Sequence, residues 1–190
     1  AQESGVDAIV AEGFEAGGHN GREETTTLCL IPMIRATVKI PVIAAGGIAS
    51  GRAMLAAFAL GADAVQVGSA FAVAEESSAH PNFKERIISS AEGDTKLRMK
   101  KLVPVRLLKN EFADAIAQAE AEGAGAEKLA ELLGRARAKL GMFEGDMKEG
   151  ELEIGQVSAM LNEIKPAAEI LQNMWKEFLQ EKKNLENLKF

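Results

Sequence analysis

The chain has 190 residues, 47% of them hydrophobic and 26% charged, and a formal net charge of −6. That balance describes a globular chain able to bury a core, and it argues against nucleic-acid binding, which calls for a basic stripe. No apolar run approaches the roughly 18 residues needed to cross a bilayer, no signal-peptide pattern opens the sequence, and a single cysteine leaves no intrachain disulfide, so a reducing, cytoplasmic location is expected.

In chain order, the first residues read as the end of a helix. Val6 to Ala11 reads as a strand introduced by Gly5 and closed by Gly13. Thr25 to Ala36 follows as a helix, with threonines suited to capping its start. Cys29, inside the apolar run Leu28 to Ile31, is expected to be a buried, inert thiol. Pro41 to Ala45 reads as a second strand, Gly51 to Leu60 as a helix with Ser50 at its N-cap and Gly61 just past its end, and Ala62 to Val67 as a third strand. Short continuous apolar runs of this kind suit parallel strands buried on both faces. Strand, helix, strand, helix, strand amounts to two βα units feeding a further parallel strand.

From about Pro81 the texture changes, and a boundary is expected near residues 78 to 82. Residues 1–80 would then form βα units, and residues 81–190 a mainly helical region packing on them and on the active site. Asn82 to Ser90 reads as helix. The short basic run Lys96 to Lys101 reads as a solvated helix face, and Val103 to Leu108 as extended. Glu111 to Leu140 is expected to be mostly helical with a break at Glu122 to Gly125. Gly141 to Gln156 reads as a structured loop that could return to a site. Val157 to Leu188 reads as helix, started or kinked by Pro166, with Trp175, Phe178, Leu179 and Leu185 as a packing stripe.

Ligand sites in parallel α/β architectures lie at the C-terminal strand ends, where this sequence places glycines: Gly13, Gly17 and Gly18, then Gly46 and Gly47, then Gly68. Each cluster alone reads as turn chemistry. Two such loops separated by one helix, Ala45-Gly46-Gly47-Ile48 and Gln66-Val67-Gly68-Ser69, can also cradle one phosphate, because glycine lets backbone N–H groups approach an anion and Ser69 adds a hydroxyl donor. His19 lies just past the first strand end. There an imidazole can move protons near neutral pH, though a lone histidine is more often a structural residue. Glu12 stands where it could meet polar atoms of a cofactor, Glu15 reads as a loop-bracing carboxylate, and His80, before Pro81, as a loop residue. No set of side chains has metal-ligand spacing, and no metal is expected.

Ala11-Glu12-Gly13-Phe14-Glu15-Ala16-Gly17-Gly18-His19-Asn20-Gly21 with Thr25-Thr26-Thr27 resembles the histidine loop of the nitronate monooxygenase and flavin-type enoyl-acyl carrier protein reductase II family. Ile40 to Ala49 and Gly61 to Phe71 resemble its two phosphate loops, and Glu144-Gly145-Asp146 with Gly155-Gln156 its C-terminal signature. The resemblance implies an α/β fold, the C-terminal portion of an FMN-binding TIM (β/α)8 barrel with a helical C-terminal region. It implies FMN held by Gly46, Gly47, Gln66, Val67, Gly68 and Ser69, with Glu12, Gly17 and Gly18 near the flavin and His19 as the active-site histidine. NADH or NADPH would be the reductant. The substrate would be a small molecule or one carried on acyl carrier protein, with no nucleic-acid or membrane partner, and a homodimer is compatible with this reading. Ser69 stands where threonine is common, which keeps the hydroxyl. Glu12 stands where nitronate monooxygenases often have glutamine, and with Ala79-His80-Pro81-Asn82-Phe83-Lys84 it leans toward the reductase branch; nitronate oxidation with O2 is the alternative, and a non-catalytic phosphate-ligand-binding barrel fragment a third reading.

A barrel of this type has eight βα units in about 250 residues, and the sequence shows three strands, placed late in the barrel by the resemblance. The N-terminal half is therefore expected to lie outside these residues, in keeping with Ala1 in place of Met. These 190 residues alone are expected to hold FMN weakly and turn over slowly or not at all.

Overall fold

The computed structural model describes residues 1–188. The elements run in the order β1 (Ile9–Glu12), β2 (Gly18–His19), α1 (Thr27–Thr37), β3 (Val42–Ala45), α2 (Gly51–Ala59), β4 (Ala64–Gln66), α3 (Ser69–Ala72), α4 (Pro81–Ile88), β5 (Thr95–Arg98), β6 (Val105–Leu108), α5 (Glu111–Ala121), α6 (Ala126–Leu133), α7 (Arg137–Met142) and α8 (Ala167–Glu186), with 3-10 turns at Gln2–Ser4 and Gln156–Met160.

The three apolar runs of the first 70 residues form one parallel sheet in the order β1-β3-β4, with Ile9 opposite Val42 and Ala45 opposite Gln66. Each strand is shorter than its apolar run. β1 begins only where Ile9 N–H finds the Pro41 carbonyl, so Val6 to Ala8 precede the sheet. Burial on both faces does not hold for β1: Ala11 is buried, but Val10, on the opposite face, is 46% exposed. The core lies on the other face, where Ile31 of α1, Val42 and Ala44 of β3, Ala57 of α2 and Met174 of α8 pack together.

Ser50 caps α2 as expected, its hydroxyl accepting from Ala53 N–H. A second acceptor comes from far along the chain, for Glu177 of α8 takes the Gly51 N–H at 2.7 Å. The α2–α8 contact is completed by Phe178, edge-on to Phe58 at 5.6 Å and stacked on Trp175 at 5.2 Å. The rest of the expected packing stripe is different: Trp175, Leu179 and Leu185 are exposed. Cys29 is also exposed, against expectation, since Ile31 is the α1 side chain turned fully inward and Cys29, two residues before it, falls on the opposite face of the same helix.

A second sheet, antiparallel in the order β2-β6-β5, was not foreseen beyond the extended run at Val103 to Leu108. β5 takes residues 95–98 and so replaces the expected helix face at Lys96 to Lys101. Thr95 pairs with Leu108 and Arg98 with Val105, and this ladder outweighs local composition. The helical stretch after Asn110 breaks at residues 122–125 as expected and again at residues 134–136. Residues 157–188 are not one helix. A 3-10 turn ends at Met160, residues 161–166 are non-helical, and α8 starts directly after Pro166, which lacks an N–H and disfavours helix in the residue before it.

Candidate active site

The C-terminal ends of β1, β3 and β4 open on one cavity of about 260 Å³. Of the residues expected at a ligand, Glu12, Gly17, Gly46, Gly47, Gln66, Gly68 and Ser69 line it together. Val67 instead packs against the core beneath the sheet. Gly18 and His19 form β2, with Gly18 buried and His19 exposed; neither lines the cavity itself, and both adjoin its wall.

The two glycine loops have the chemistry of an anion cradle. Among the described residues, the amides of Gly47, Ile48, Gly68 and Ser69, all on the cavity wall, have no acceptor within the protein. Gly47, Ile48 and Ser69 are buried or half-buried, and such amides rarely go unpaired unless water or a ligand takes them. Gly46, at φ +85°, lies so close to the loop after β1 that a Cβ would come within 2.5 Å of the Gly13 carbonyl oxygen. Gly68 is the opposite case. A Cβ there would meet no protein atom within 4 Å, so the space it leaves is not used by the protein's own packing. The Ser69 hydroxyl accepts from Gly155 N–H at 3.1 Å, which leaves its own proton to donate. Free amides, an open glycine and a hydroxyl donor fit the terminal phosphate of FMN.

The loop carrying His19 is braced from three sides. Glu15 accepts from Thr27 N–H at 3.0 and 3.1 Å and lies 3.0 Å from the Thr27 hydroxyl, which also reaches the Gly46 carbonyl at 2.9 Å. A carboxylate thus caps α1, in place of the expected threonine: Thr26 holds the N-cap position without a side-chain bond. Arg106, 2% exposed, donates to the Phe14 carbonyl through Nε at 3.1 Å and Nη2 at 2.6 Å. Asn20 donates to the carbonyls of Ala16 and Gly18. Glu15→Ala should cost about 1–2 kcal/mol of stability, the usual loss for a helix cap. Urea unfolding checks this, and an unchanged midpoint would remove Glu15 from the bracing role.

The late loop does return to the site, through Gly155 and Gln156 of the C-terminal signature and through Glu153 and Ile154, which the sequence had not singled out. β6 pairs with β2 through Val105 and Arg106 and then with the late loop, Leu107 bridging to Glu153. This lays Glu153, Ile154 and Gly155 along the cavity wall, while Gln156 N–H donates to the Glu15 carbonyl at 2.9 Å. The signal in the sequence was the alternation Glu151-Leu152-Glu153-Ile154 before Gly155, a strand-like period inside a glycine-rich loop. Glu144-Gly145-Asp146 packs instead against His80, with Asp146 closing a turn by accepting from Lys148 and Glu149 N–H. His80 is more than a loop residue: its Nδ1 accepts from Asn82 N–H and caps α4.

Three carboxyl groups at or behind this wall are held above their ordinary range. Burial raises Glu12 although the residue is exposed overall. Burial also raises Glu153, with His19 opposing the shift. Glu151 is 6% exposed, its Oε1 has no hydrogen-bond partner, and burial, then the charge of Glu153, push it up to about 7 against the pull of Arg137. A carboxyl whose pKa rises on folding contributes its stability below the unfolded value and loses it as pH climbs through the folded one. The protein should therefore be less stable at pH 8 than at pH 5. Glu151→Gln should regain about 1–2 kcal/mol at pH 8, after discounting the shift for solvent screening, and almost nothing at pH 4.5. Denaturant midpoints at the two pH values test this; an equal gain at both would assign the effect to packing.

Among the described residues there is no group of three or more His, Cys, Asp or Glu side chains placed to hold a metal ion, and no helix is long and apolar enough to cross a membrane.

Parallel strands opening on a cavity with unpaired loop amides, beside a histidine and a returning strand, define a class: α/β proteins with an anion-binding site, suited to a phosphate-bearing ligand, at the strand ends. The nitronate monooxygenase family model matches residues 1–177, and the chain belongs to that family. It is 44% identical over 103 residues to a probable nitronate monooxygenase of Bacillus subtilis, taking in 50% of this chain and 30% of that protein. It superposes on FabK from Thermotoga maritima with a TM-score of 0.91 at 41% identity, covering 97% of this chain and 58% of that one. On the nitroalkane oxidase from Streptomyces ansochromogenes the TM-score is 0.77 at 31% identity, covering 97% and 55%. The family is the nitronate monooxygenase and FabK group of FMN-dependent oxidoreductases, and the fold is that of a portion of their TIM barrel. The chain spans a little over half the length of these solved relatives.

Proposed function

We propose that this chain forms the phosphate-binding and histidine-bearing part of an NAD(P)H-dependent, FMN-containing enoyl-acyl carrier protein reductase of the II type. The observation that carries the flavin reading is the pair of glycine loops whose unpaired amides face one cavity. The reductase over the nitronate reading is supported by the likeness to FabK and by glutamate at position 12.

In this reading Gly47, Ile48, Gly68 and Ser69 hold the phosphate through their amides and the Ser69 hydroxyl, and Glu12 and Gly17 meet the rest of the cofactor. Bound FMN would supply the hydride-transfer chemistry that links NADH or NADPH to the β-carbon of an enoyl thioester. The residues' share is orientation and proton movement: His19 stands at the rim to handle the proton due at the α-carbon, on a loop kept rigid by Glu15 and Arg106. The substrate would be a thioester on acyl carrier protein, and a homodimer is the proposed assembly.

The test is anaerobic addition of NADH, then NADPH, to the full-length FMN-loaded protein, followed by an enoyl thioester. Bleaching of the yellow flavin, reversed by the thioester, is the expected result. A protein whose flavin is bleached by an alkyl nitronate and reoxidised by O2, with no reoxidation by the thioester, would be a nitronate monooxygenase, and one that holds FMN without bleaching by any of these donors a binder.

A further inference from the structure

We propose that Glu153 sets the charge selectivity of the cavity, favouring uncharged substrates such as an enoyl thioester over anionic ones such as an alkyl nitronate. The inference deepens the function proposed above and rests on it.

The argument begins with where this carboxylate lies and what it does not touch. Glu153 lines the same cavity as the amide cradle. Its Oε2 lies 2.6 Å from where a Cβ on Gly18 would be, and it is near enough to His19 for the charge of that side chain to act on it. The residue is half-buried. Among the described residues its carboxylate makes no hydrogen bond and no ion pair, in contrast to Glu15, whose oxygens are taken by Thr27. Arg106, on the strand that pairs with Gly18, donates to the Phe14 carbonyl, and the carboxylates whose charges act on it are Glu15 and Glu24. Glu12, also on the cavity wall and also without a partner, adds charge of the same sign.

The cavity is thus divided electrically. Free amides at the glycine loops attract an anion, and the wall beside the histidine carries unpaired carboxylates. A nitronate brings a full negative charge to that wall and an enoyl thioester brings none. Like charges a few ångströms apart at a partly desolvated surface repel, and repulsion of a competitor is an ordinary route to specificity. Nothing in the packing requires a carboxylate here: the neighbouring backbone is held by the bridge to Leu107, which any side chain at 153 would allow.

The experiment uses the full-length FMN-loaded protein at pH 8 with Glu153→Gln and, as the charge-keeping control, Glu153→Asp. Two quantities are read: the ratio of kcat/KM for an alkyl nitronate to that for an uncharged crotonyl thioester of N-acetylcysteamine, and the dissociation constant of isobutyrate, a non-oxidisable anion of nitronate size, followed at the His19 C2 proton. His80, which caps α4 away from the cavity, reports that the fold is intact. Glu153→Gln should tighten isobutyrate and raise the ratio, each by about tenfold, as removal of one unpaired charge predicts; Glu153→Asp should leave both near the parent values. An unchanged isobutyrate constant in Glu153→Gln overturns the proposal. Turnover of neither substrate, with isobutyrate still tightened, would overturn the reductase reading and leave the charge selectivity standing.

Discussion

Gly68→Val should fold with an unchanged melting temperature and lose FMN affinity by about a hundredfold, the worth of one or two charge-assisted hydrogen bonds to phosphate. The two halves of this expectation come from the same observation. A Cβ at position 68 meets no protein atom within 4 Å, and the backbone there has a negative φ that any residue can adopt. The side chain would therefore project without clash into the space beside the free amides of Gly68 and Ser69, where a phosphate must approach. Gly46 provides the contrast: at φ +85° and with a Cβ only 2.5 Å from the Gly13 carbonyl oxygen, Gly46→Val should destabilise the fold itself. Flavin titration and thermal unfolding of the full-length variants separate the cases. Normal FMN affinity in Gly68→Val would mean that the phosphate does not sit on this loop.

His19→Ala should lower kcat/KM for the thioester by about 10²-fold, within the range of general acid–base catalysis, while FMN remains bound. Every group assigned to the phosphate belongs to the loops after β3 and β4, and His19 contacts neither. Its place comes from β2, where it pairs with Val105 of β6, and from the bracing of the preceding loop by Glu15, Asn20 and Arg106. Its side chain is exposed at the rim, free to meet a substrate. Deletion therefore removes a proton-handling group and no packing. The loss should fall on kcat rather than on KM. Full activity in the variant would strip His19 of this role, and loss of FMN would mean that it shapes the cradle.

How much of this could be read from the residues alone differs between the two ends of the site. The cradle was legible. Three apolar runs ending in glycine, spaced by helices of the right length, specify parallel strands whose ends must come together, because each strand pairs only with neighbours brought by its own crossover. Gly46, Gly47, Gly68 and Ser69 follow from that spacing, and they do share a wall. Val67 shows the limit. The strand period turns alternate side chains to opposite faces, and at position 67 that face is the core.

The wall beside the histidine was decided by tertiary structure. β2 is two residues long, Gly18 and His19, with no local signal for a strand. β5 is basic enough to be read as a helix face. Glu153 lies more than 130 residues from His19 in the chain. All three owe their places to β6, whose apolar backbone edge accepts β5 on one side and both β2 and the Glu153 segment on the other. Local sequence sets propensity, period and cap chemistry, and these place the glycine loops. Which distant carboxylate stands beside an imidazole depends on ladder hydrogen bonds between segments far apart in the chain, and that pairing forms only when the whole fold does.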